Sequence, residues 1–404
     1  MSETTLTPRR DAQISALIGT GHFLSHFYML CLPPLFLAWR DHFDVSFAML
    51  GLSVALLGGT TALLQTPVGF LVDRYGARRF LVGGTLLMAL SISAMAFVDD
   101  YRWILVLAVL SGVGNSVIHP ADYAILAGSV RKEFMGRAFA LHSFTGYLGF
   151  AVAPPIIALL LVVMGWQDAL LLVGLLGVPV VGAILLQSRI LSDQPKARGP
   201  KPEGGARLLT SKPILGFFAF FMLSAMAGSG VTAFLIAVLG VLWNTPVAAA
   251  SLALTGYMAG ATVVMLLGGW WADKKGGNLL GFVVVLTSIA VVLILSMGLF
   301  DWGEWLLPPV ALVAGLCIGS SRTPRDVMLK EVCPPGEIGK VFGFVSAGLP
   351  LGSALMPVPM GFLIDMGFAW LVLPSVAVLF ALSLLCAGAA RGMAAAAPRM
   401  QPAE

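Results

Sequence analysis

The chain has 404 residues, of which 58% are hydrophobic and only 11% are charged, whereas about a quarter of the residues of a soluble domain are charged. Its apolar residues recur in separate runs of about 20, the length at which a helix crosses about 30 Å of hydrocarbon. These features exclude a soluble globular protein and predict an all-α polytopic membrane protein. The net charge of +4 reflects where Lys and Arg lie around the membrane and does not indicate nucleic-acid binding.

Twelve apolar runs predict twelve transmembrane helices. The first run is too long for a cleaved signal peptide, contains His22 and His26, and lacks a small-residue cleavage pattern, so we expect a permanent helix. The predicted spans cover residues 13–38, 46–72, 78–98, 102–130, 134–163, 166–187, 212–240, 247–272, 279–299, 304–331, 338–365 and 368–391.

The positive charges are distributed unevenly between the two ends of these helices. If both termini are cytoplasmic, every Lys and Arg falls on the cytoplasmic side except two outside and two within a span. The exceptions are Arg40 and Arg102, outside, and Arg322 and Arg325, within the tenth span. This asymmetry follows the positive-inside rule and predicts a multi-pass protein of the cell inner (cytoplasmic) membrane with both termini in the cytoplasm.

A polar, basic segment rich in Pro and Gly separates two sets of six helices. It predicts an N-terminal six-helix bundle over residues 1–187, a cytoplasmic linker over 188–211, and a C-terminal six-helix bundle over 212–404.

The two halves repeat each other in sequence. "GFLVDRYG", residues 69–76, matches "GWWADKKG" 200 residues later, and "PAD", residues 120–122, matches "PRD" 204 residues later. A six-helix unit repeated in the same orientation is the parallel-repeat plan of secondary transporters, whose halves rock about a site near the bilayer midplane.

The loop "GFLVDRYGARR", residues 69–79, resembles the signature between the second and third helices of the major facilitator superfamily, and the whole chain is similar to that family. The resemblance implies that a carboxylate and the arginines after it form a cytoplasmic gate that holds the outward-facing state. The glycines allow close approach and turning of the backbone, and a carboxylate can cap helix N-termini. The gate residues are then Gly69, Asp73, Arg74, Gly76, Arg78 and, in the second half, Asp273.

A narrower resemblance, to the fosmidomycin-resistance type of exporter within that superfamily, depends on two segments. They are "GVGNSVIHPAD", residues 112–122, and "LLQTPVGFLVDRYG", residues 63–76. Ala121 stands where that group has Glu, and Asp122 follows one place later. This resemblance implies export.

The fourth span carries ionisable residues deep in an apolar run. On one continuous helix Asn115, His119 and Asp122 share a stripe, and Pro120 leaves the carbonyl of Ser116 free. An imidazole beside a carboxylate can exchange a proton in the physiological range, and an ionisable group inside a membrane marks a pathway or relay by default.

Three further histidines lie in spans of the first half: His22 and His26, one turn apart, and His142. They extend the predicted proton pathway, although histidines that pack helices together by hydrogen bonds are the alternative. Two His at i and i+4 can ligate a metal, but that helix has no Cys or Glu nearby, so we predict no metal site. The four cysteines are scattered, and no cofactor is predicted.

The tenth span carries Arg322 and Arg325 on one face, with Asp326 one turn after Arg322. Arg322 lies about 12 Å inside the surface that Lys330 marks, so it is predicted to face a cavity, whereas Arg325 could reach the surface. Since the fourth and tenth spans are equivalent in the two repeats, we expect Asp122 to pair with an Arg across this cavity. A protonated His then makes the cavity positive, which favours an anionic or zwitterionic substrate.

The sequence lacks a phosphate-binding Gly-x4-Gly-Lys-Ser/Thr loop, so coupling to ions is expected rather than to a nucleotide. We predict a secondary active transporter that moves a small organic molecule by alternating access, coupled to protons and favouring efflux, and functional as a monomer in the lipid bilayer. The alternatives are an uptake symporter for an organic anion and a non-transporting membrane sensor or assembly protein. No enzyme activity is predicted. A membrane enzyme needs a cluster of nucleophilic or metal-binding groups at one membrane face, whereas the clustered polar groups of this sequence lie near the middle of the spans.

Overall fold

The computed structural model describes residues 7–191, 206–272, 278–333 and 338–396. The regular structure of this part of the chain is helical throughout. Its helices are α1 (Pro8–Leu30), α2 (Phe36–Phe43), α3 (Phe47–Tyr75), α4 (Ala77–Ala94), α5 (Tyr101–Ser116), α6 (Ile118–Ser129), α7 (Met135–Leu175), α8 (Gly177–Leu186), α9 (Ala206–Leu209), α10 (Lys212–Trp243), α11 (Val247–Ala272), α12 (Leu279–Leu299), α13 (Gly303–Val332), α14 (Ile338–Ser346), α15 (Gly348–Leu355), α16 (Pro357–Asp365) and α17 (Val372–Ala396).

Ten helical segments of the described residues are long and apolar enough to cross a membrane. The longest, Met135–Leu186, turns at Gly165, whose φ of +82° favours glycine, and therefore supplies two crossings. The remaining crossing is α1 continued by α2, where Asp11, His22 and His26 lower the hydropathy. The prediction of an all-α protein with twelve transmembrane helices in two six-helix repeats is confirmed.

Proline divides several of the spans into shorter helices. The fourth span is broken at Val117, three residues before Pro120, into α5 and α6. The eleventh span consists of α14, α15 and α16, and Pro357 stands at the start of α16. Proline is tolerated in the first turn of a helix, where its missing N–H has no partner to lose.

The two halves meet where α3 packs against α15 and α16, and where α7 packs against α11. We call the end of the bundle near Pro8 and Ala396 the terminal end, and the opposite end the distal end. At the distal end the rings of Phe36 and Phe234, one from each half, lie 5.5 Å apart.

A carboxylate joins the halves at the distal end. Asp365, at the end of α16, accepts hydrogen bonds from the backbone N–H groups of Phe47 at 2.6 Å and Ala48 at 2.8 Å. These donors belong to the first turn of α3, where N–H groups lack partners within the helix and the dipole favours negative charge. Ser46 caps the same turn by accepting from the N–H of Met49. We call the bonds of Asp365 to α3 the distal clamp.

Close contact of two backbones accompanies the distal clamp. A Cβ added to Gly361 would collide with the backbone of Phe47 and lie 2.6 Å from the backbone nitrogen of Ala48. Only glycine therefore allows α16 to approach α3 this closely.

Candidate functional site

A cavity of about 470 Å³ lies between the two halves. Aromatic and aliphatic side chains form most of its wall, and hydroxyl groups of Ser and Thr are spread among them. Aromatic residues from both halves contribute: Tyr147, Phe150, Phe220, Tyr257 and Phe380. Such a wall suits an organic molecule with a substantial apolar part, oriented by a few polar contacts.

Arg322 on α13 lines this cavity, and its guanidinium lies 5.0 Å above the ring of Tyr147 from the other half. Its Nη1 atom is buried and has no hydrogen-bond partner among the described residues. A buried cation is costly unless it is paired. Arg322 therefore presents donor capacity that an anionic ligand can use.

Arg325 also lines the cavity, but its charge is compensated. Its guanidinium lies 4.0 Å above the ring of Phe221 and is 3.0 Å from the carboxylate of Asp326. Asp326 is nearly half exposed, with 47% of its side chain accessible. Of the two arginines, Arg322 is the one free of a carboxylate within the described structure.

Asp122 is fully buried, and its Oδ2 atom is 3.0 Å from Nε2 of the buried His142. The pairing with an arginine across the cavity that the sequence suggested is not what the structure shows. The partner comes from α7 of the same half, because α6 starts a new helix at Ile118 and packs against α7. The second oxygen, Oδ1, is buried without a hydrogen bond to described residues.

Four histidines from α1, α6 and α7 contact one another. Nδ1 of His22 is 2.7 Å from the carbonyl oxygen of His142, and Nε2 of His22 is 3.3 Å from Nε2 of His119. The rings of His22 and His142 are stacked, with centroids 3.6 Å apart. His26 lies 4.3 Å from His22 by ring centroids and lines the cavity. We call these four residues the histidine cluster.

Gly146 on α7 makes room for the histidine cluster. A Cβ at this position would collide with the ring of His22 and lie 3.0 Å from Cε1 of His26. The sequence places a glycine one turn after His142 on α7, and this absence of a side chain lets α1 bring its two imidazoles against α7.

Asn115 lies on the other side of the helix break from His119 and Asp122. Its amide nitrogen is 3.3 Å from the hydroxyl of Thr61 and 3.2 Å from the sulfur of Met29. The continuous polar stripe expected over this span is therefore interrupted at Val117. Asn115 links α5 to α1 and α3, whereas His119 contacts His22 and Asp122 contacts His142.

The predicted gate residues that the structure describes lie at the terminal end. Asp73 and Arg74 are exposed, and Nη1 of Arg78 donates to the carbonyl of Ser188. Gly76 has a φ of +92° and ends α3, as expected for a turn glycine.

The two remaining gate residues are Gly69 and Asp273. A Cβ at Gly69 would come no closer than 4.0 Å to Pro120, so this glycine is not required for close packing. Asp273 lies outside the described residues. The gate stays a prediction.

Sequence reasoning missed Asp365 and the aromatic wall of the cavity. A signal for Asp365 was present, because "GFLID", residues 361–365, repeats "GFLVD", residues 69–73, with one substitution. The aromatic residues gave no comparable signal, since aromatic side chains in a membrane span can face lipid as well as a cavity.

Comparisons with known proteins agree with this architecture. The model of the Major Facilitator Superfamily matches residues 18–242 and 217–395. The fosmidomycin resistance protein of Escherichia coli is 24% identical over 367 residues, 87% of each chain. The multi-drug resistance efflux pump PmrA of Streptococcus pneumoniae is 26% identical over 326 residues, 76% of this chain and 77% of that protein.

A solved structure has the same fold. It is a bacterial homologue of the human lysosomal transporter Spinster, in an inward-facing and occupied conformation. It superposes with a TM-score of 0.78 at 13% identity and covers 98% of this chain and 100% of that one.

Proposed function

The chain belongs to the Major Facilitator Superfamily, and we propose that it exports a small anionic or zwitterionic organic molecule across the cytoplasmic membrane by alternating access, in exchange for protons. The observation that carries this proposal is the half-buried guanidinium of Arg322, whose Nη1 atom has no hydrogen-bond partner among the described residues, in an apolar cavity between the two halves. The midplane interface of two repeats is where secondary transporters bind their substrates.

The cavity supports an amphiphilic substrate with one anionic group. Its volume of about 470 Å³ falls in the range of sites for drug-sized ligands. A carboxylate or phosphonate can accept two parallel hydrogen bonds from a guanidinium, and Arg322 is the group that can supply them. The apolar part of the substrate then lies against the aromatic wall.

Asp122 is the proposed proton carrier. It is a fully buried carboxylate that contacts no arginine or lysine in the described structure and is hydrogen-bonded to His142. Charging it inside the membrane is costly, so proton uptake and release at this group can be linked to rocking of the halves. One proton moved across 100 mV supplies about 2.3 kcal/mol, enough for a substrate gradient of about 50-fold.

The proposed direction depends on orientation and on the relatives. Placing the terminal end in the cytoplasm follows the positive-inside rule. In that orientation the distal clamp lies at the outer end, which supports a state that loads substrate from the cytoplasm. The names of two relatives, a fosmidomycin resistance protein and a multi-drug efflux pump, favour export.

The test is proton flux in proteoliposomes that contain the purified full-length protein and a pH-sensitive dye. The panel comprises organic anions, phosphonates including fosmidomycin, sugars and cationic drugs. We expect an anion to drive proton movement in the wild type, and Asp122→Asn to abolish it while substrate binding persists. Arg322→Gln is expected to weaken binding of that anion about tenfold or more, because a charge-assisted bond contributes about 1.5–3 kcal/mol.

Asp41→Asn is the matched control, because Asp41 is an exposed carboxylate at the distal end. It is expected to retain full flux. Binding of a panel member without any proton flux in the wild type contradicts proton coupling. Proton flux in the same direction as the substrate shows symport, as in the uptake alternative, instead of exchange. Binding that is unchanged in Arg322→Gln contradicts the anion site.

A further inference from the structure

We infer that His22, His26 and His119 bind one divalent transition-metal ion of the zinc class, which enters from the central cavity. The three residues each offer a ring nitrogen, and these nitrogens all lie within 4.8 Å of one another. Imidazole is the nitrogen ligand that zinc and similar ions favour in proteins. The site lies beside the proposed substrate site and uses neither Arg322 nor Asp122.

Hydrogen bonding fixes the ring of His22 in the form that a metal needs. A carbonyl oxygen only accepts, so the 2.7 Å contact with the carbonyl of His142 requires Nδ1 of His22 to carry its proton. In the neutral ring, Nε2 then presents a lone pair toward Nε2 of His119. Metal-ligating histidines commonly donate their second N–H to a backbone carbonyl in this way.

The imidazole of His26 is short of partners. Neither ring nitrogen of His26 makes a hydrogen bond of ordinary geometry with described residues, although both are buried. Buried polar groups without partners are rare and point to an absent water or ion. A cation shared by the three rings satisfies the lone pairs of His22, His26 and His119 together.

The spacing suits four-coordinate geometry after a small adjustment. Metal–nitrogen bonds of about 2.0–2.1 Å in a tetrahedron place ligand nitrogens about 3.3 Å apart. The two Nε2 atoms of His22 and His119 are 3.3 Å apart. The widest separation in the set, 4.8 Å, must close by about 1.5 Å, which a side-chain rotation of His26 can provide.

Three protein ligands leave the fourth coordination position for water or another small ligand. Since His26 lines the cavity, an ion can reach the site from there without opening either half. The ligands come from α1 and α6 of the same half, so a bound ion stabilises their contact. The sequence of α1 alone offers only His22 and His26, and the third imidazole comes from α6.

The experiment is titration of the purified full-length protein, without a polyhistidine tag, with Co²⁺ in detergent micelles, followed by competition with Zn²⁺. We expect one equivalent of Co²⁺ and the intense visible absorption of a four-coordinate ion, which Zn²⁺ removes. His26→Ala and His119→Ala are each expected to lower the affinity more than about 100-fold, because losing even a residue that only hydrogen-bonds to a ligand costs about 10–100-fold.

Two variants keep the result interpretable. His42→Ala is the matched control, because His42 is an exposed histidine outside the cluster, and it should bind Co²⁺ like the wild type. His26→Cys keeps a ligand at the same place and should bind Co²⁺ with an added thiolate charge-transfer band. The inference is overturned if the wild type shows no saturable Co²⁺ absorption, or if that absorption persists unchanged in His26→Ala and His119→Ala. The readout does not involve transport, so it separates this inference from the proposed function.

Discussion

Two nearly identical segments lie at opposite ends of the bundle, one on α3 and one on α16, and their aspartates have different surroundings. "GFLVD", residues 69–73, ends near the terminal end of α3, and "GFLID", residues 361–365, ends at the distal end of α16. Asp365 is thus hydrogen-bonded to the first turn of α3 at one end of the bundle, whereas Asp73 is exposed at the other.

The difference follows from the antiparallel course of α3 and the eleventh span. Asp365 reaches the N-terminus of α3 at the distal end, whereas Asp73 lies near the other end of α3, the end of the bundle at which α14 begins. A carboxylate at a helix N-terminus is stabilised by free N–H groups and by the helix dipole. Rocking of the halves opens one of these contacts as it closes the other, so each segment is expected to act as a clamp in one state only.

The largest expected effect is that of Asp365→Ala, which removes both acceptors of the distal clamp. Two charge-assisted hydrogen bonds at the lower end of their range contribute about 3 kcal/mol, so the population open at the distal end should rise about a hundredfold. The measurement is the distance between spin labels on cysteines that replace Asp41 and Glu304, after the native cysteines are substituted. The matched control is Asp301→Ala, because Asp301 accepts only from the nearby N–H of Gly303.

Gly361→Ala is expected to open the same end by steric contact. Its Cβ meets backbone atoms of Phe47 and Ala48, which cannot rotate away, and overpacking of this kind costs about 1–3 kcal/mol. At about 2 kcal/mol, we therefore expect the distal-open population to rise about thirtyfold, and the same label distances report this change. Gly343→Ala on α14 is the control, because a Cβ there meets no atom within 4 Å. Equal behaviour of the two alanine variants would show that the close approach does not hold the halves.

Asp365→Asn tests how much of the clamp is charge. The amide keeps one neutral acceptor, worth about 1 kcal/mol, in the place of two charged ones that contribute about 3 kcal/mol. A loss of about 2 kcal/mol and a rise of about thirtyfold in the distal-open population are therefore expected. Single-molecule fluorescence transfer between dyes at the same two labelled positions can resolve this smaller change. A shift as large as that of Asp365→Ala would mean that the charge carries the entire interaction.

Asp73→Asn should have the smallest effect in the conformation described. Asp73 is exposed, and surface substitutions change stability by less than about 0.5 kcal/mol. In the Asp365→Ala background, where the other state is populated, the same substitution should lower the distal-open population about fivefold. A double variant indistinguishable from Asp365→Ala would remove Asp73 from the clamp at the terminal end.

The sequence predicted the spans well because lipid imposes a length and an apolar composition on every crossing. It predicted that Gly76 turns the chain, because a glycine between two apolar runs marks a turn. It did not predict the partner of Asp122, because the break at Val117 separates α5 from α6 and depends on packing as well as on Pro120. The convergence of His119 on His22 and His26 was also out of reach, since contacts between α1 and α6 cannot be read from the periodicity of either helix.

Reciprocal movement of the two ends is the central claim, and one measurement tests it directly. Spin-label distances are recorded for a distal pair at Asp41 and Glu304 and a terminal pair at Arg79 and Lys330, in the wild type and in Asp365→Ala. The account predicts that the distal distance lengthens and the terminal distance shortens, in matched populations. A longer distal distance with an unchanged terminal distance would contradict alternating access and show instead that the substitution only loosens one end.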